Sequence, residues 1–170
     1  MSEINYTKDK NGLQKMRSLL DISKIIMMAT NLQKTPFSIC PMTLQEMDEQ
    51  GDLWFFSNKE SNHFKDITRD NKVQLIYMDE DTNTYISIFG NATHIEDLKK
   101  VDELWDPKLE KWFNGKNDTD MVLLNINMEN AYYWESASNS LISFFNQAKS
   151  VMTQKQSKDG NQGHINLQNH

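Results

Sequence analysis

Between residues 55 and 67 the chain reads FFSNKESNHFKDI, with hydroxyl, amide and basic side chains set between an aromatic run and an apolar run at helical spacing. Ser57, Asn58, Lys59, Ser61 and His63 therefore fall where an expected strand ends and an expected helix begins. Backbone N–H groups at a helix N-terminus, with a cation close by, suit a phosphate. A plainer reading of the same residues makes Ser61 an N-cap and Lys59 a solvated turn residue. A second concentration, Trp105, Trp112 and Phe113 in LWDPKLEKWFNG, fits either the packed mouth of a barrel or the wall of a site for a planar ring. Taken together, the two point to a ligand with a phosphate at one end and a flat ring at the other.

Other chemistries find less support. A structural zinc site needs several converging Cys or His ligands, and the body of the chain offers Cys40 and two well-separated histidines, His63 and His94. No G-x-S-x-G elbow marks a hydrolase nucleophile, and Ser61 and His63, two residues apart, do not by that spacing meet. The acidic pairs in DEDT and MDEQ fall in expected turns, where solvation accounts for them. Cys40, the single cysteine, excludes an intrachain disulfide and reads as a small core residue.

The elements that must carry these residues follow from periodicity. Leu13, Met16, Leu19 and Leu20 predict an amphipathic helix over 10–21, followed by a strand in KIIMMATN. PFSICPMTLQEMDEQGDLWFFS predicts a hairpin whose turn, 48–52, contains Gly51; Pro41 makes its first arm an edge or a bulge. Phe64 and Ile67 predict a short helix to about Arg69. KVQLIYMD and TYISIFGNATHIE predict a strand pair, with Gly90 marking a bulge or a close backbone approach. Leu98, Val101 and Leu104 or Trp105 predict a helical face ended by Pro107. DMVLLNINMENAYYWE predicts strands turning near Glu129 and Asn130. An apolar stripe of Leu141, Phe145, Ala148 and Met152 predicts a further helix, capped by Ser138 or Asn139. The expected body is a small antiparallel barrel decorated by helices, over 1–153, with residues 154–170 a polar, flexible tail.

At 170 residues the chain fits one domain. Its net charge of -6 disfavours a general nucleic-acid binder, which needs a basic stripe. The longest apolar run, IIMMA, is far short of a membrane span, and the polar N-terminus lacks a signal-peptide pattern, so the expected compartment is the cytoplasm.

The ordered series PMT (41–43), GDLWFFS (51–57), KES (59–61), KVQLIYMD (72–79), ISIFGNATHIED (86–97), LWDPKLEKWFNG (104–115) and VLLNINMENAYYWE resembles the general stress protein 26 branch of the pyridoxamine 5'-phosphate oxidase-like flavoproteins, over roughly residues 12–148. The resemblance implies a mainly β, antiparallel split β-barrel of six or so strands with peripheral helices. It also implies a homodimer with two FMN molecules in clefts between subunits. By position, Cys40, Pro41 and Met42 would line the flavin ring, and Phe56 and Ser57 would run toward the ribityl chain. Lys59, Ser61 and His63 would face the phosphate, and Trp112 with Phe113 would come from the partner's side. Such a protein would be a flavin-dependent oxidoreductase, a flavin-storing protein without turnover, or a barrel holding another cofactor such as deazaflavin or haem.

Three departures from the family pattern stand out. Cys40 occupies a position commonly held by Arg, and His63 one commonly held by Lys. A protonated His63 would grip phosphate more strongly, so affinity is expected to fall as pH rises. No arginine follows residue 136, so true pyridoxamine phosphate oxidase activity is not expected.

Overall fold

The computed structural model describes residues 6–8, 10–22, 24–136 and 160–167. These carry nine strands in one sheet and three α-helices. The strands are β1 (Tyr6–Lys8), β2 (Ile25–Thr30), β3 (Ser38–Thr43), β4 (Glu46–Met47), β5 (Leu53–Asn58), β6 (Lys72–Asp79), β7 (Thr84–Ile95), β8 (Met121–Ser136) and β9 (Gly160–Asn166). The helices are α1 (Lys10–Leu19), α2 (Asn62–Arg69) and α3 (Leu98–Leu104). The result is a mostly antiparallel half-barrel with peripheral helices, the split-barrel architecture. Its strand count exceeds six because short β1 and β4 and the C-terminal β9 join the sheet.

The sheet runs β1-β9-β8-β7-β6-β2-β3, and β5, with β4 beyond it, also pairs with β8. The first half of the 16-residue β8 lies between β5 and β7, and its second half lies between β7 and β9. That exchange of neighbours splits the barrel. Strict alternation along β6 buries Val73, Leu75 and Tyr77 and turns Lys72, Ile76 and Met78 outward, so one face of each strand fills the core. Met16 and Leu20, from α1 and its end, close that core with Ile26, Met28, Phe55, Ile88, Leu124 and Ile126. Each such side chain, fully buried, contributes about 1.5–3 kcal/mol. A smaller cluster of Phe56, Val101, Phe113, Met121 and Leu123 forms on the opposite face of β5 and β8, under α3.

Several expectations are corrected. The arm holding Pro41 pairs with β2, not with β5: the loop 31–37, which opens on Asn31 at φ 55°, returns the chain antiparallel beside β2. Residues 48–52 instead join the two-residue β4 to β5. The edge position expected from Pro41 holds, since β3 ends the sheet. No turn interrupts β8 at Glu129 and Asn130. The register slips there, with Phe89 opposite Asn130 and Gly90 opposite Met128, so Glu129 is the extra residue of a bulge. A Cβ on Gly90 would lie 2.3 Å from the Asn127 carbonyl oxygen, which is the close approach its glycine predicts. Residues 160–166, expected in a flexible tail, form β9 between β1 and β8, with Ile165 fully buried. Leu98 is exposed although Val101 of the same helix is buried. Pro107 opens a 3-10 turn, Pro107–Lys111, after α3 has ended. The expected helix around 138–152 lies outside the described residues.

Candidate functional site

The polar corner begins with Asn58, the last residue of β5. Its side-chain oxygen accepts from Glu60 N–H at 2.7 Å and its carbonyl accepts from Ser61 N–H at 3.0 Å, which turns the chain tightly into α2. Ser61 caps α2: its hydroxyl accepts from Phe64 N–H at 3.2 Å and donates to the Asn58 carbonyl at 2.6 Å. The capping reading is therefore correct as far as it goes. The turn does more, because it swings His63 back over the strand. His63 Nε2 lies 2.7 Å from Ser57 Oγ and 3.2 Å from Ser61 Oγ. Ser57 is 2% exposed. Since the Ser61 hydrogen goes to Asn58, its contact with His63 requires Nε2 to donate.

Lys59, next to this triangle, reaches across to β7's end, where its Nζ is 2.6 Å from Glu96 Oε1. Its own N–H donates to the Asp120 carbonyl at 2.8 Å. Alternation on the sheet explains what lies beneath. Phe55 and Leu124 belong to the main core and face His94 in register; Ser57 follows Phe55 by two, and His94 follows the core residue Ala92 by two. Ser57 and His94 thus share the inner face that α2 covers. The His94 ring stacks on Phe64 with centroids 4.0 Å apart, and its Nε2 is buried without a hydrogen-bond partner.

On the other side α2 packs across β2 and β3. Its buried Asp66 accepts from the Thr30 hydroxyl at 2.9 Å. Burial, then His94, push the His63 pKa below its ordinary value, with Asp66 opposing them. Burial lowers His94 in the same direction. Burial, reinforced by Asp66, pushes the Cys40 thiol up, so it stays protonated at neutral pH.

Of the ten residues singled out from sequence, Ser57, Lys59, Ser61 and His63 come together at this corner. Cys40, Pro41 and Met42 lie on edge strand β3, within the influence of α2 through Asp66, with Met42 buried and Pro41 exposed. Phe56 points to the other face of β5, into the smaller cluster, 6.1 Å from the ring of Phe113 of its own chain and 6.0 Å from that of Trp105. Phe113 is buried there, whereas the adjacent Trp112 is 77% exposed. Sequence reasoning missed Thr30, Asp66, Glu96 and His94 as neighbours of the corner. For Asp66 a signal existed, since His63 and Asp66 stand three apart on one helical face. For the others none did, because β2 and β7 are distant in sequence.

As a phosphate site the corner has the Ser57 hydroxyl, an imidazole and an ammonium close in sequence, beside a helix N-terminus that Ser61 caps, so the donor chemistry fits. Glu96 competes with an anion for Lys59. Among the described residues no three His, Cys, Asp or Glu side chains converge as metal ligands, and no helix is long and apolar enough to cross a membrane.

General stress protein 26 of Bacillus subtilis is 25% identical over 119 residues, covering 68% of this chain and 83% of that protein. A solved structure from Jannaschia sp. CCS1, also named for general stress protein 26, superposes with a TM-score of 0.70 at 20% identity, covering 92% of this chain and 98% of the other. The general stress FMN/FAD binding protein of Xanthomonas citri superposes with a TM-score of 0.65 at 26% identity, covering 78% and 94%. The profile of the pyridoxamine 5'-phosphate oxidase-like family matches residues 11–159, nearly the whole of this architecture and every residue of the corner. The chain belongs to the pyridoxamine 5'-phosphate oxidase-like family.

Proposed function

We propose that the protein binds FMN and serves as a flavin-dependent oxidoreductase of the general stress protein 26 type, acting in the cytoplasm. The observation that carries this reading is the convergence of Ser57, Ser61 and His63, with Lys59 beside them, at the start of α2. The Ser57 hydroxyl orients the phosphate end, Ser61 holds the start of α2 beside it as the cap, and Lys59 neutralises it once Glu96 gives way. Edge strand β3 offers the ring a row of backbone groups that no other strand among the described residues claims, with Cys40, Pro41 and Met42 along it. Cys40, held as a thiol, adds no positive charge there. The bound flavin would supply reversible electron and hydride transfer; the chain supplies position and electrostatics.

The same reading makes the protein a homodimer with its cofactor clefts at the subunit interface. In support, the outward face of neighbouring strands β6, β2 and β3 exposes Ile76, Met78, Ile25 and Ile39, apolar side chains of the kind subunits cover, with exposed Tyr132 on β8 beyond β7. Exposed Trp112 would then wall the partner's cleft.

The test is the absorbance spectrum of the freshly purified protein, followed by identification of the chromophore released on denaturation and calorimetric titration of the stripped protein. Flavin bands with FMN released are expected, with reduction by NADH or NADPH if the protein turns over. Flavin that no nicotinamide reduces would leave a storage protein; deazaflavin or haem in the released fraction would replace FMN. A colourless protein that ignores added FMN from pH 6 to 8 would overturn the reading.

A further inference from the structure

A serine hydroxyl has one hydrogen to give and two lone pairs to fill, and at Ser61 all three are spent. It donates to the Asn58 carbonyl at 2.6 Å and accepts from Phe64 N–H at 3.2 Å. His63 Nε2, at 3.2 Å, takes the remaining lone pair, and it can do so only as an N–H. A bare Nε2 would set two lone pairs against each other across that gap. The consequence reaches Ser57. Its Oγ stands 2.7 Å from the same Nε2, which already carries hydrogen, so Ser57 accepts there and its own hydrogen turns elsewhere. Ser57 is 2% exposed, and its side chain makes no other hydrogen bond among the described residues. Buried polar hydrogens seldom go unclaimed.

We propose that Ser61 is a positioning residue of the corner: it fixes His63 as the Nε2–H tautomer and so commits the Ser57 hydroxyl to donate to an oxygen of a bound phosphate monoester. The inference rests on the phosphate reading of the corner and deepens it. The direction of every hydrogen is set from the backbone outward. The Asn58 carbonyl, already held by Ser61 N–H at 3.0 Å, receives the Ser61 hydrogen. His63 then donates to Ser61 and Ser57, and Ser57 has only the ligand left. A phosphate dianion offers acceptors alone, which is what a committed donor suits. Without the Ser61 hydroxyl, the ring is released to carry its hydrogen on Nδ1 and to accept the Ser57 hydrogen at Nε2. The protein then consumes the donor itself.

The experiment is long-range 1H–15N correlation NMR of the full chain carrying 15N-histidine, stripped of ligand, at pH 7.5. His63 is identified by the signals that His63→Gln removes, and calorimetric titration with FMN and with riboflavin runs beside it. At that pH the ring is neutral, because burial holds its pKa below the ordinary 6.5. Wild type is expected to show the Nε2–H tautomer before and after FMN is added. Ser61→Ala is expected to move the ring to Nδ1–H and to weaken FMN about tenfold or more, leaving riboflavin unchanged. Ser61→Thr, which keeps the hydroxyl and the cap, is expected to restore both. A Ser61 that only caps would leave the tautomer in place. Ser57→Ala should weaken FMN by a similar factor, and adding Ser61→Ala to it should cost little more, since the two act through one hydrogen. An Nδ1–H tautomer in the wild type, a Ser61→Ala protein that keeps Nε2–H, or losses that simply add would each overturn the inference and spare the FMN reading. Failure of the wild type to bind FMN at any pH overturns both.

Discussion

Ser61 is the residue at which capping and ligand binding can be pulled apart. Its hydroxyl accepts from Phe64 N–H and also touches His63, so an alanine removes both functions at once. Ser61→Ala should cost about 1 kcal/mol, the usual worth of an N-cap, and lower Tm by about 2–4 °C for a domain of this size. Ser61→Asp is more telling. Aspartate caps as well as serine and suits the positive end of the α2 dipole, so stability should stay within about 0.5 kcal/mol of wild type. The same carboxylate would face the bound phosphate. Two unit charges about 4 Å apart at an effective dielectric near 20 repel by about 4 kcal/mol, and at a half-buried site solvent trims that to about 2–3 kcal/mol. FMN affinity should fall on the order of a hundredfold, and riboflavin affinity should not change. Thermal denaturation supplies the first number and calorimetric titration the second. A Ser61→Asp protein that is stable and binds FMN as wild type does would show that Ser61 is only a cap, and would remove the phosphate from this corner.

Glu96→Gln frees Lys59 from its ion pair, so FMN binding should tighten several-fold at low salt, with the gain shrinking as salt rises; unchanged or weaker binding in fluorescence titration would remove Lys59 from the site. Met78→Lys, or Ile25→Lys, places a charge on the exposed apolar face and should convert a dimer to monomers in light scattering at micromolar concentration, while a monomeric wild type would refute the dimer outright. Gly90→Val drives a Cβ to within 2.3 Å of the Asn127 carbonyl, a backbone atom that cannot step aside, and should destabilise by about 1–3 kcal/mol or more in urea denaturation. Gly51→Ala should cost about 1–2 kcal/mol, because φ is +92° and the new methyl meets the Leu13 side chain.

Much of the barrel was legible in local pattern. Period-two alternation marks β6 and β7, whose observed bounds, Lys72–Asp79 and Thr84–Ile95, lie close to the expected 72–79 and 84–96. The glycine at position 90 announces a bulge, and the polar pair at 129 and 130 turns out to be the other half of it, read as a turn because a bulge and a turn both collect polar residues. Ser61 announces a helix start. These features are legible because neighbours within a few residues decide them.

What the sequence could not disclose is which strands meet. Residues 160–166 are too polar to predict a strand, and they become one because β8 and β1 offer backbone partners on both sides and a slot for Ile165. The Pro41 arm returns beside β2 through the loop 31–37, which opens on a left-handed residue at Asn31 and has no glycine to mark it. The corner shows the same division. The sequence by itself determined that Ser57, Lys59, Ser61 and His63 lie between a strand end and a helix start, and the resemblance carried by the ordered motifs fixed the family. Only the tertiary structure decided that Ser57 faces inward while Phe56 faces the other cluster, that His63 folds back onto both hydroxyls, and that Glu96 and His94 arrive from β7. Hydrogen bonds and charge pairs between residues more than thirty apart depend on the pairing of β5 and β7 across β8, and pairing is a property of the whole sheet rather than of any stretch of it.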